Sequence, residues 1–207
     1  AVFENDSRFA AFKKQAEDLL QAKDRIPFGN FQGGFVYNFW QDDSHVRGIW
    51  RRAPLAEYRK ENPTWETVLD VDALSDLEKE NWVYQGSSCL PPRQNPCLVF
   101  LSRGGKDARV IREFDTEKKA FVQDGFKSLE AKSDASWMDK DTVLIGSDFG
   151  PGSLTDSGYP RTLKVWKRGT SLKKAPVVLE GQKADVGVWA SSYFRPESKA
   201  VILNRAI

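Results

Sequence analysis

The segment FVYNFWQDDSHVRGIWRR, from Phe35 to Arg52, constrains the fold more than any other stretch of the chain. Phe35, Tyr37 and Phe39 alternate with Val36, Asn38 and Trp40, the period-two pattern of a strand. Gln41 to His45 is polar and turn-prone, and Gly48-Ile49-Trp50 opens a second strand that closes on Arg51-Arg52. That layout predicts an antiparallel hairpin. It recurs twice. PCLVFLSRGGKDARVIREFD, from Pro96 to Asp115, has an apolar strand, a Gly-rich turn and a strand ending on charges. Thr142 to Gly169 joins TVLIGSD to TLKVWKRG through a long loop. A hairpin repeated at intervals of tens of residues marks a repeat architecture.

Further strand patterns flank each hairpin. A weak strand near Asn30 to Gly33 and a stronger one at Trp65 to Asp70 complete the first set. Asn81 to Gly86 and Ala120 to Val122 complete the second, and Ala135 to Trp137 with Ala175 to Gly181 the third. A fourth set stops half-built, with Val186 to Ser191, a turn at Arg195 to Ser198, and Ala200 to Leu203. Four-stranded repeats of roughly 40 to 60 residues are the signature of β-propeller blades. In a sandwich, strands would not recur in fours around a similar centre. The expected fold is all-β: a partial propeller of three four-stranded blades and half of a fourth. The expected blade ranges are 28–76, 77–130, 131–182 and 183–207, after an amino-terminal helical segment over 1–27. Ala73 to Lys79 is expected to add a helical turn between blades.

That helix is predicted from Glu4 to Lys23. Asp6 or Ser7 supplies a cap, and Phe9, Phe12, Ala16, Leu19 and Leu20 recur at helical spacing. Such a stripe is expected to pack on its own domain, with a partner-binding helix as the alternative.

Composition narrows the function classes. Lys and Arg number 31 against 29 Asp and Glu, mixed along the chain, so no basic stripe argues for nucleic acid. Apolar runs all fall short of the roughly 20 residues of a membrane span. No signal-peptide pattern stands at the start, and Ala1 in place of Met points to a processed or excised chain. Cytoplasm and periplasm both remain open. Cys89 and Cys97 flank a seven-residue loop; a bridge and two free buried thiols are both open, with free thiols favoured. Two Cys and one distant His make a poor zinc set, and neither metal nor cofactor is expected.

Candidate chemistry is sparse. His45 follows Asp42-Asp43-Ser44, but residues adjacent in a tight turn do not converge as a triad, and turn chemistry accounts for them. Gly86-Ser87-Ser88 and Gly146-Ser147-Asp148 do not complete the G-x-S-x-G nucleophile elbow, and no His follows them. Asp148-Phe149-Gly150 lacks every companion of the kinase magnesium motif. Ser102 to Lys106 lacks the Gly-Lys-Ser/Thr of a phosphate loop and is read as a hairpin turn with glycines at positive φ. Arg51-Arg52 and Lys167-Arg168 are read as strand-end charges, solvated or paired with a neighbouring blade.

VYNFWQD, RGIWRR, LDVDAL, LSRGGKDARVIREFD and DFGPGSLTDSGYPRTLKVWKRGT resemble, in that order, the amino-terminal part of prolyl oligopeptidase-like serine peptidases. The resemblance covers nearly the whole chain, including the helix before the first strand. It implies a seven-bladed propeller over an α/β-hydrolase domain, which excludes large folded substrates. This chain would then be a non-catalytic part of it, with the hydrolase domain as its partner and oligopeptides as substrates of the whole enzyme. The loop FGPGSLTDSGYPR, Phe149 to Arg161, is longer than a hairpin needs. By resemblance its Ser153, Thr155, Tyr159 and Arg161 are assigned to the substrate chamber, with interblade packing as the alternative. A self-standing scaffold that binds a partner protein is the competing reading. Trp189, Val201 and Leu203 of the half-built fourth blade are expected near an open face, so self-association through that edge is expected.

Overall fold

The computed structural model describes residues 3–20, 22 and 26–207. Three four-stranded antiparallel sheets and one two-stranded sheet follow each other along the chain. The first sheet contains β1 (Asn30–Gln32), β2 (Phe35–Asp42), β3 (His45–Pro54) and β4 (Glu66–Asp70). The second contains β5 (Trp82–Cys89), β6 (Cys97–Arg103), β7 (Val110–Asp115) and β8 (Ala120–Phe121). The third contains β9 (Asp134–Asp139), β10 (Thr142–Gly146), β11 (Thr162–Lys167) and β12 (Val177–Glu180). β13 (Gly187–Phe194) pairs β14 (Lys199–Ala206) over their full length. Each sheet keeps chain order, so these are propeller blades, and the set of four does not close into a ring.

The apolar patterning explains the stacking. In β6, Val99 and Leu101 join Tyr37, Trp50 and Leu69 in the core between blades 1 and 2. Leu98 and Phe100 point the other way, into the core with Trp137, Val143 and Ile145 between blades 2 and 3. Leu144 of β10 and Leu163 meet Val188 and Ala190 between blades 3 and 4. A strand buried on both faces reads as a continuous apolar run, which is why CLVFL and VLI stand out in the sequence. Charged side chains reinforce these junctions. Arg168 at the end of β11 forks onto Glu113 of β7 at 2.8 and 2.9 Å.

The helices depart from expectation. The first, α1, spans Phe9–Leu20 and so is shorter at both ends than predicted; Lys23 lies outside the described residues. Asp6 does sit at its start, and its main-chain carbonyl accepts from the Phe9 N–H. None of its residues is buried: Phe12, Leu19 and Leu20 are 62%, 74% and 72% exposed. The expected packing on its own domain is therefore wrong. The stripe is real, but no described blade lies against it. A four-residue helix, α2 (Leu55–Tyr58), occupies the polar connection after β3. The expected helical turn after β4 is a full eight-residue helix, α3 (Val71–Glu78), crossing the expected blade boundary at 76/77. Asp70 caps it by accepting from the Ala73 N–H, and buried Val71 and Leu74 fasten it to blade 1.

The free-thiol reading is also overturned. Cys89 and Cys97 lie directly opposite across β5 and β6 and form a disulfide. The loop between them is a hairpin connection, so the two strands carry the sulfurs to one spot.

Strand direction gives the blades two unlike faces. Segments 43–44, 71–81, 104–109, 122–133, 147–161 and 181–186 lie on one face, here the upper one. The short turns 33–34, 90–96, 116–119, 140–141 and 195–198 lie on the lower face. The chain enters β1 from the upper side and β14 ends there.

Candidate functional site

The first strands of successive blades converge toward the propeller axis, where β5 lies against β9 and β9 against β13. At their upper ends a cleft of about 420 Å³ opens, lined by residues of blades 2, 3 and 4. Blade 2 contributes Gln85, Asp107 and Arg109 to its walls, blade 3 Lys132 to Asp134 with Tyr159 and Pro160, and the blade 3–4 connection and blade 4 Val186 to Trp189.

Each wall is fixed by identifiable contacts. The Gln85 side chain donates to the Lys106 carbonyl at 2.8 Å and so fastens the β6–β7 hairpin to β5. Arg109 stacks over Phe100, donates through Nε to the Ser133 carbonyl at 2.6 Å, and pairs through Nη2 with Asp134 at 3.0 Å. Burial pushes the Asp134 carboxyl above its ordinary value, against the opposing pull of the Arg109 charge. The Lys132 ammonium lies 4.3 Å over the Tyr159 ring and 3.6 Å from Asp107. Cations and carboxylates alternate around the cleft. Tyr159 and Trp189 add aromatic surface that is 39% and 38% exposed.

The long loop forms the rim. Two glycines give it room: a Cβ on Gly146 would stand 3.0 Å from Pro160 Cβ, and one on Gly187 3.2 Å from Tyr159 Cβ. Across the blade junction the Val188 N–H donates to the Pro160 carbonyl at 2.8 Å, and the Asp156 N–H to the Lys183 carbonyl at 2.8 Å. The loop is thus seated on the blade 3–4 junction. Of the four loop residues singled out from sequence, only Tyr159 lines the cleft. Ser153 is buried; its hydroxyl accepts from the Phe149 N–H at 2.8 Å and shapes the loop from within. Thr155, also buried, contacts the Val186 carbonyl at 3.2 Å. Arg161 donates to the Gly152 carbonyl at 2.7 Å and pairs with Glu180 at 2.7 Å. These three hold the rim while Tyr159 faces the space.

The remaining sequence candidates keep to turn geometry. Asp42 accepts from the Ser44 and His45 N–H groups and contacts His45 Nδ1 at 2.9 Å, ordering the β2–β3 turn. Ser147 is buried against Ser133, oxygen to oxygen 2.7 Å. Asp148 accepts from the Gly150 N–H at 2.9 Å. Gly104 and Gly105 have φ of 68° and 78°, as the hairpin reading requires. Among the described residues no group of three His, Cys, Asp or Glu is placed to hold a metal. The cleft thus presents aromatic faces and paired charges.

Sequence reasoning missed Gln85, Asp107, Arg109, Lys132, Asp134 and Trp189. Their common signal is position: each lies at the upper end of a blade's innermost strand or in an upper loop beside it.

Comparison with known proteins adds a separate line of evidence. Residues 3–203 match the family model described as prolyl oligopeptidase, N-terminal beta-propeller domain. An uncharacterized peptidase of Sinorhizobium fredii is 48% identical over 182 residues, covering 87% of this chain and 25% of the relative. An uncharacterized peptidase of Rickettsia prowazekii is 36% identical over 190 residues, covering 88% of this chain and 26% of the relative. The solved structure of a post-proline cleaving enzyme from Rickettsia typhi superposes with a TM-score of 0.82 at 35% identity, covering 91% of this chain and 28% of that one. The chain thus spans about a quarter of the length of these relatives.

Proposed function

The chain belongs to the family of prolyl oligopeptidase amino-terminal β-propeller domains, and from that premise we propose that it gates oligopeptide access to a hydrolase domain in a longer peptidase. The observation that carries this reading is the position of the cleft. It opens on the upper face, at the ends of the innermost strands of three successive blades and on the side from which β1 is entered. A domain joined to the propeller on that side covers the cleft, whose walls then form part of the chamber through which a peptide reaches the hydrolytic residues. The relative named as a post-proline cleaving enzyme supports oligopeptides cut after proline as the substrate class.

Two uncovered apolar surfaces support a larger parent. Phe12, Leu19 and Leu20 of α1 are largely exposed, and burying such a side chain is worth roughly 1.5 to 3 kcal/mol. β14 has an unpaired outer edge, with Ile202 and Leu203 47% and 40% exposed. In the parent, further strands complete this blade; alone, the 207-residue chain pairs that edge with a second copy. A self-standing scaffold uses the same α1 face for a partner protein, and sedimentation of parent and isolated chain separates the two readings.

The direct test uses the parent enzyme carrying Tyr159→Ala or Lys132→Ala. The expected result is a change of several-fold in kcat/KM for long proline-containing peptides, with a short chromogenic dipeptide derivative hydrolysed as before. Equal rates on both substrates in both variants would remove the cleft from the access route.

A further inference from the structure

The lower ends of the innermost strands, here the lower mouth of the partial ring, carry the one disulfide, and its surroundings give it a role beyond holding one hairpin. Cys89 ends β5, an innermost strand, and Cys97 starts β6. Between them, Leu90 to Pro96 reaches two neighbours. Toward blade 1, a Cβ on Gly33 would stand 3.3 Å from the Arg93 carbonyl oxygen and 3.4 Å from the Gln94 side chain, so the two lower-face turns touch. Gln32 Nε2 also lies 3.8 Å from Cys89 Sγ. Toward the outside of blade 2, the Asn95 side-chain oxygen accepts from the Thr116 N–H at 2.8 Å, and its amide donates to Asp115 at 3.2 Å. Blade 3 grips the same strand end, where Trp137 Nε1 donates to the Ser88 carbonyl at 2.9 Å. The disulfide thus closes a loop that bridges the lower turns of two blades at the axis.

The two sulfurs are unequally accessible. Cys97 is fully buried in the blade 1–2 core, whereas Cys89 is half-buried. Exchange requires a thiolate to reach one sulfur in line with the bond.

We propose that Cys89–Cys97 is a thiol–disulfide exchange site for a dithiol reductant, and that its state decides whether the 90–96 loop is clasped across the lower mouth or released. A thiolate of the dithiol attacks the Cys89 sulfur, the S–S bond breaks, and Cys97 leaves as thiolate. The second thiol of the reagent then displaces Cys89. Two electrons pass to the protein, the protons of the dithiol end on the two cysteines, and the reagent becomes a cyclic disulfide. In the disulfide the Cys97 sulfur stands 3.5 Å from the Gln94 carbonyl oxygen, and reduction removes the tie that fixes both ends of the loop. In an oxidising compartment the clasp stays closed; a reducing cytosol opens it.

Trypsin provides the readout, because exposed Arg93 precedes Gln94 at the tip of the loop. The isolated chain is treated with dithiothreitol, thiols are counted, and initial cleavage at Arg93 is measured by mass spectrometry. The expected result is two new thiols and cleavage about tenfold faster, since cutting tracks the population of the open loop. Cys97→Ser is expected to be cut at the fast rate with or without reductant, and hydrogen exchange of residues 90–96 reads the same opening should that variant be poorly folded. Thiols already present before reduction, or unchanged cleavage and exchange after it, would overturn the proposal. A second arm rests on the gating reading: in the parent peptidase, reduction should alter kcat/KM for long peptides more than for short ones. Loop opening without any change in peptide selectivity retains the exchange site and rejects the gating role of that mouth.

Discussion

Replacing Arg168 with Met isolates a buried polar tie between blades 2 and 3. Glu113 is 2% exposed and receives three donors: both Nη groups of Arg168, at 2.8 and 2.9 Å, and the Phe126 N–H at 2.9 Å. Arg168 also stacks over Phe126, 4.7 Å from the ring centroid, and pairs with Asp141 at 3.1 Å. Arg168→Met removes the fork and leaves a buried carboxylate with one N–H. Breaking a buried pair from one side costs about 3 to 5 kcal/mol, and the 29% exposure of the Arg168 side chain places this case near 3. At roughly 2 to 4 °C per kcal/mol for a domain of this size, the midpoint should fall by about 6 to 12 °C. Arg168→Lys keeps a charge but no fork and should cost about half as much. The paired change Arg168→Met with Glu113→Leu should recover much of the loss, because the buried charge goes with its partner. Calorimetry of the unmodified protein, Arg168→Met, Glu113→Leu and the paired variant gives the coupling directly. A midpoint within about 1 °C of the parent value for Arg168→Met would refute the assignment of this pair as the blade 2–3 tie.

Gly146→Val should unseat the rim loop, since the added atoms meet Pro160 Cβ at 3.0 Å and the Val188 carbonyl at 3.3 Å; a cost of about 1 to 3 kcal/mol and faster exchange at residues 153–161 are expected. The acid limb should carry the Asp185–Arg205 pair, whose hydrogen bonds from Arg205 hold the Asp185 carboxyl below its ordinary value. A depressed carboxylate stabilises the fold above its unfolded pKa and loses that contribution as pH falls through the lower folded value. The difference in melting temperature between the protein and Asp185→Asn should therefore be full near neutrality and shrink below about pH 4; a difference that stays constant down to about pH 2 would contradict the linkage.

The blades were legible in the sequence where physics leaves few options. Strands such as β6 and β10, buried on both faces, read as apolar runs because every position is covered. The central hairpins follow from turn residues between such runs. Pattern alone says where an apolar stripe lies on α1 but not what covers it, and the expectation of self-packing failed for that reason. The disulfide depended on register: Cys89 faces Cys97 only because β5 and β6 pair at that position. The cleft was hardest to foresee. Gln85, Arg109, Asp134 and Trp189 are far apart in sequence, and only the convergence of inner strands brings them together. Tyr159 was reachable because its loop is longer than a hairpin needs, while Ser153, Thr155 and Arg161 of the same loop turn out to brace it.

Hydrogen exchange compared between the isolated chain and the parent peptidase tests the central claim, that the upper face is the one covered by the hydrolase domain. The account predicts added protection in the parent at α1, at 122–133 and at 149–161, with the lower turns 116–119 and 140–141 unchanged. Protection gained on the lower turns, with the upper loops and α1 exchanging as in the isolated chain, would contradict it.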